Sequence, residues 1–216
     1  MKAEIRRNQI LDCAKKVFAN KGYHNSYVED IIREAKIGKG TIYEYFRNKE
    51  DLFTSVLTRS LQTWKDTVAI SHDEMKNLDP FNYFKHRIHK TLGLFADDRD
   101  LGNILFRTGF AFDEKISSLV TQFENNVTQQ VIHDLKLARR FGFVRKDIDI
   151  TVTAYVLVGS LLILAYKYIL SKETISQDQL DYISNEFVQS FVTGIFDPSY
   201  ILPEKSQEIA SQNSKF

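Results

Sequence analysis

Helix breakers are scarce: three prolines and nine glycines in 216 residues. A loop-rich β fold needs turn residues at short, regular intervals, and this chain does not supply them. Long runs with a 3.6-residue apolar period take their place. Ile10, Leu11, Ala14, Val17 and Phe18 share one face of a first helix over 4–20, and Gly22 stops it. The same reading places helices at about 26–35, 39–46, from 48 through Trp64, 80–95, 100–111, 113–140, 148–171 and 177–195. The predicted fold class is all-α, with an N-terminal three-helix domain at 1–48, a larger helical domain at 49–200 and a polar tail at 201–216.

Local signals sharpen several boundaries. Ser26 and Glu29 are spaced as a capping box, Asn48 caps the fourth helix, and Asp79-Pro80 reads as a cap followed by proline in the first turn. The polar stretch 69–79 reads as a linker or a fraying helix end. Cys13 is the only cysteine, so no intrachain disulfide forms and a reducing compartment fits. No signal-peptide core is present at the N-terminus. The longest uncharged run, Thr151 to Tyr166, falls short of the ~18–20 residues that a spanning helix needs. It is read as a buried helix without membrane contact.

Net charge is +1, but residues 1–50 carry +4 and the rest carry −3. A basic head on a slightly acidic body suits an anionic partner. Within that head, two short helices joined by a tight turn and braced by a first helix form a helix-turn-helix pattern. Ile42 and Phe46 anchor the second of them inward. Lys39, Gly40, Thr41, Tyr43, Glu44 and Tyr45 are left for the outer face or its edge. Tyrosine hydroxyls and Thr41 suit phosphate contacts, and Gly40 bares backbone where a partner comes close. Lys49 stands in the first turn of a helix, where a cation is disfavoured unless a phosphate is bound there.

Residues 6–57 closely resemble the DNA-binding domain of the TetR family of bacterial transcription regulators. The resemblance rests on "RRNQILDCAKKVFANKGY", "SYVEDIIREAKIGKGTIYEYF" and "NKEDLFTSVL". It implies a dimer that binds double-stranded operator DNA in the bacterial cytoplasm, with Gly38, Lys39, Gly40, Thr41, Tyr43, Glu44 and Tyr45 on the contacting helix or its entry. Ser26 and Tyr27 then touch the DNA backbone, and Lys49 a phosphate. Lys36 stands where the family usually has a glycine, Gly38 replaces a serine or threonine cap, and Glu44 is a carboxylate near DNA. The expected function is repression, relieved by a small apolar or amphipathic effector.

The rest of the chain resembles the family in layout only. Its phenylalanine-rich middle suggests an effector cavity lined by Trp64, Phe84, Phe95, Phe106, Phe110, Phe123 and Tyr155. The resemblance implies a dimer interface on the last two helices, at Val152, Val156, Gly159, Ile163, Phe187, Phe191 and Ile195. His86 and His89 are too few for a metal site, and neither a cofactor motif nor a catalytic grouping is present. No metal, cofactor or enzyme activity is expected. Two alternatives stay open: a helix-turn-helix regulator without a small effector, and a helical ligand-binding module that does not bind DNA.

Overall fold

The computed structural model describes residues 2–69, 79–109 and 114–195. Among them nine helices follow in order: α1 (Lys2–Lys21), α2 (Val28–Ala35), α3 (Lys39–Tyr45), α4 (Lys49–Val68), α5 (Pro80–Asp97), α6 (Arg99–Gly109), α7 (Glu114–Arg140), α8 (Ile150–Leu164) and α9 (Gln177–Ile195). All described elements are helical, as the shortage of breakers requires. α8 runs on without a break into a π-helical segment, Ala165–Leu170. The chain divides into two compact units, 1–66 with 95–126 and 67–94 with 127–216.

The first unit is built on α1. Its expected stripe, Ile10, Leu11, Ala14, Val17 and Phe18, is buried, and Gly22 ends the helix at a φ of 73°. Phe18 meets Phe53 of α4 edge-to-face at 5.1 Å, and Tyr23 meets Phe53 at the same distance. Leu52, Val56 and Leu57 extend the α4 contribution, and Leu101, Ile104 and Leu105 add the buried face of α6. Two polar clasps hold α1. Arg59 of α4 reaches Asp12 at 2.6 Å and the Asn8 carbonyl at 3.0 Å. Lys15 pairs with Asp98 at 2.6 Å, and Asp98 also caps α6 through the Leu101 amide. The expected domain boundary at 48/49 therefore falls inside this unit, because α4 completes the core of α1–α3. Cys13 is half-buried, and burial pushes its thiol up, so it stays protonated.

The start of α2 differs from expectation by one residue. Tyr27 is the N-cap, and the Asp30 carboxylate accepts from its amide at 3.0 Å. The expected Ser26–Glu29 box does not form. Ser26 is fully buried, with its hydroxyl donating to the Tyr23 carbonyl at 2.7 Å. Asp30 is held below the usual carboxylate range, first by Lys21 and then by the Tyr27 amide. At the other end Lys36 takes a left-handed conformation, φ 52° and ψ 47°, which costs an L-residue roughly 1–2 kcal/mol. The turn that glycine usually makes is thus kept with lysine. Asn48 caps α4 as expected, accepting from the Asp51 amide at 2.9 Å, while the Asp51 carboxylate accepts from the Arg47 amide.

In the second unit Asp79 caps α5 through the Asn82 amide at 2.9 Å, as expected. Ile88, Leu92, Ile132 and Leu135 supply the buried faces of α5 and α7. Gly93 lies where an added Cβ would stand 3.6 Å from the Leu180 side chain. Gly142, at a φ of 81°, ends α7. Asp149 caps α8, accepting from the amides of Thr151 and Val152 at 2.8 and 3.0 Å. Ile150, Ala154, Leu157, Leu161, Ala165 and Ile169 are the buried side of that helix. Its length corrects one expectation. Ile150–Leu170 is a 21-residue run that takes in Lys167, long and apolar enough to cross a membrane by length and composition alone.

The outward face of α8 is also apolar. Val152, Val156 and Ile163 are 51–59% exposed, and Gly159 is exposed with nothing within 4 Å of an added Cβ. The α9 residues differ from expectation. Phe187 is buried within the unit, and Phe191 is half-buried with its ring 4.8 Å from that of Phe187. The outward residues of α9 are instead Asp181, Tyr182, Asn185 and Glu186. Leu180, Ile183, Phe187 and Val188 need that inner face, so they are unavailable for an outer one. Ile195 lies within α9, but its side chain is outside the described residues.

Candidate nucleic-acid interface

α3 has seven residues, and one side of it is committed to the core. Ile42 is fully buried and Phe46 is 2% exposed. Arg7 of α1 covers the Phe46 ring at 5.0 Å and reaches the Ser55 hydroxyl at 3.2 Å. With this side anchored, Lys39, Gly40, Tyr43 and Glu44 face out, and Thr41 and Tyr45 are half-exposed. Tyr27, before α2, is 64% exposed, and Tyr43 is 47% exposed. Large exposed rings on short helices are a poor way to meet water and a good way to meet phosphates and base edges.

The glycines carry a second message. Gly40 sits inside α3, where glycine costs about 1 kcal/mol against alanine. Yet an added Cβ there meets nothing within 4 Å, and at Gly38 it meets only the Thr41 hydroxyl at 3.9 Å. Both have negative-φ or helical backbone, so neither the turn nor the interior demands them. What they leave bare is outward backbone.

Two candidates are placed differently from the sequence reading. Ser26 is buried, so its side chain cannot reach DNA. Lys49 donates to the carbonyls of Tyr23 and Ser26 at 2.9 and 3.0 Å, and its ammonium lies 4.2 Å from the Tyr23 ring centre. Burial pulls its pKa down. This clasp ties the α1–α2 loop to the start of α4, which explains a cation in a first helical turn without a bound phosphate. Lys49→Met leaves two carbonyls without their donor, and unfolding in urea should show a loss of about 1–3 kcal/mol. Unchanged stability would return Lys49 to the status of a pure phosphate contact. Lys39 pairs with Glu29 at 3.4 Å, both well exposed, a pair worth little in water and readily exchanged for phosphate. Sequence reasoning passed over Arg47, an exposed cation between α3 and α4.

The expected effector residues differ in burial and fall in both units. Trp64, Phe95 and Phe123 are buried in the first unit, Phe84 is half-buried in the second, and Tyr155 is 53% exposed on α8. Tyr155 therefore lines no interior. Phe110 and the side chain of Phe106 lie outside the described residues. A cleft of about 270 Å³ lies between α1 and α2, but its lining is charged, with Lys16, Lys21, Asp30, Arg33 and Glu34. It does not suit an apolar ligand. No cluster of metal-ligating side chains occurs among the described residues.

Known proteins bear on this geometry. Residues 10–56, from the middle of α1 through the first two turns of α4, match the family described as bacterial regulatory proteins, tetR family. The HTH-type transcriptional regulator HbdR of Aromatoleum sp. (strain CIB) is 25% identical over 66% of this chain, and the match spans 61% of that protein's length. The fatty acid metabolism regulator protein of Bacillus subtilis (strain 168) is 29% identical over 69% of this chain and 82% of its own. The crystal structure of the transcriptional regulator FadR from Bacillus subtilis in complex with stearoyl-CoA superimposes with a TM-score of 0.72 at 22% identity, covering 87% of this chain and 98% of that one. That likeness extends the shared fold well beyond the helix-turn-helix. Residues 10–56, with an outward α3 and bare glycines and tyrosines on it, thus match the tetR family of bacterial regulatory proteins, and the chain is similar over most of its length to transcriptional regulators of the helix-turn-helix type.

Proposed function

We propose that this protein is a cytoplasmic dimeric repressor, released from its operator by an amphipathic acyl ligand of the acyl-CoA class. The observation that carries the DNA-facing half is α3, whose glycines have no use inside the protomer. The dimer rests on the outer face of α8. Val152, Val156, Gly159, Ile163 and Tyr166 recur at spacings of 4, 3, 4 and 3, the seam of a helix that packs along a partner helix. Gly159, with open space around it, permits close approach. The opposite side of α8 is buried within its own unit, which favours a second copy over lipid as the cover for this face.

The acyl ligand is supported by two of the similar proteins, a fatty acid metabolism regulator and a structure holding stearoyl-CoA. Release requires the ligand to favour the DNA-free state, and each tenfold preference is worth about 1.4 kcal/mol. Two α3 helices must enter successive major grooves, about 34 Å apart or a multiple of it.

The test uses a duplex selected by the protein from a random pool, read by fluorescence anisotropy. Binding should weaken steeply with salt, as phosphate contacts require. Micromolar stearoyl-CoA should weaken it at least about tenfold, while coenzyme A alone should not. If stearoyl-CoA and stearate both leave affinity unchanged, the acyl effector is wrong and a regulator without one is favoured. If no duplex is enriched, a helical ligand-binding module is the better reading.

A further inference from the structure

Lys36 holds a backbone conformation that its own side chain makes unfavourable. It is the only non-glycine residue with positive φ among the described residues. The turn accounts for the geometry: the Lys36 amide donates to the Arg33 carbonyl and the Ile37 amide to the Ile32 carbonyl, at 3.3 and 3.2 Å, closing α2. It does not account for the lysine. Glycine makes the same bonds with no Cβ in the way, as Gly142 does at the end of α7. Packing does not account for it either, because Lys36 is exposed.

The three lysines around α3 are in different states. The Lys49 ammonium is taken up by two carbonyls and a ring. Lys39 is paired with Glu29. The Lys36 ammonium has no hydrogen-bond or ion-pair partner among the described residues. It stands in the turn between the two helices of the DNA-binding element, three residues before Lys39 and beside Gly38 and Gly40, which carry no side chain of their own.

We propose that Lys36 is a DNA-backbone contact, its ammonium neutralising one phosphate next to the groove that α3 enters. The strained turn is retained because that charge is needed there. The inference rests on the α2–α3 element being the DNA-binding element. The contact positions the protein and reads no sequence. Each protomer contributes one such contact.

Lys36→Gly and Lys36→Arg are compared with wild type on the duplex that wild type selects from a random pool. Thermal unfolding and affinity across a range of salt concentrations are both measured. Lys36→Gly should melt a few degrees higher yet bind roughly three- to tenfold more weakly, with log K against log salt shallower by about 0.9 for each phosphate that is no longer neutralised. Lys36→Arg should keep wild-type affinity and slope. Lys36→Gly that keeps both affinity and slope overturns the phosphate contact. Lys36→Gly that melts no higher overturns the argument from strain. Wild type that enriches no duplex overturns the DNA-binding reading itself, and the proposal with it, a failure seen before any variant is made.

Discussion

Val156→Glu, or Ile163→Glu, should leave a folded monomer that has lost its operator. Both side chains are about half exposed within the protomer, at 51% and 52%, so a carboxylate there stays in water and the fold is undisturbed. In a two-fold pair the same substitution places two buried, unpaired charges in one apolar seam, a penalty of several kcal/mol. Light scattering should read one-protomer mass, with helical circular dichroism unchanged. The bivalent advantage then disappears, and operator affinity should fall by about 10²–10⁴. A variant that remains dimeric at micromolar concentration would falsify the α8 interface. Phe187→Glu is the contrasting case. Phe187 is 6% exposed, so this change should unfold the second unit rather than separate subunits.

Gly40→Leu should bind operator far more weakly while the protein becomes no less stable. Inside the protomer the new side chain meets open space, and replacing a helical glycine favours folding by about 0.5–1 kcal/mol. In the proposed complex with DNA it occupies the gap through which the α3 backbone would approach. A clash of about 2 kcal/mol corresponds to roughly thirtyfold in affinity. Gly40→Ala should fall between. Stability and binding moving in opposite directions is the signature of a residue kept for a partner. Equal affinity of all three proteins would show that α3 comes no closer to DNA than a leucine allows.

What was legible in the sequence was local. The α1 stripe, the stop at Gly22, the caps Asn48 and Asp79 and the end of α7 at Arg140 each depend on residues within a turn or two. Backbone hydrogen bonding and side-chain period act at that range. The anchoring of α3 by Ile42 and Phe46 was legible for the same reason. Ser26 was not, because Ser26 and Tyr27 lie side by side at the helix entry. The choice between them depends on whether the Ser26 hydroxyl turns back to the Tyr23 carbonyl, which follows from the path of the α1–α2 loop that Lys49 clasps from α4. Lys49 was misread for a related reason. A cation in a first turn has two explanations, a bound phosphate or a pair of loop carbonyls, and only the loop's path separates them.

The sequence by itself determined the all-helical class, the order of the helices and the outward face of α3. In each, polar and apolar residues alternate with a period that points one way. The apolar pattern alone did not decide which side of α8 is free; the family resemblance pointed to Val152, Val156 and Ile163, and the tertiary structure leaves that side exposed. That helix is apolar nearly all round, so its pattern has no direction. Packing chose Ala154, Leu157 and Leu161 for the protomer and left Val152, Val156 and Ile163 outside. It likewise turned Phe187 inward and Tyr155 outward, against the sequence reading, because burial is decided by which neighbours fill a space and hydrophobicity alone does not name them.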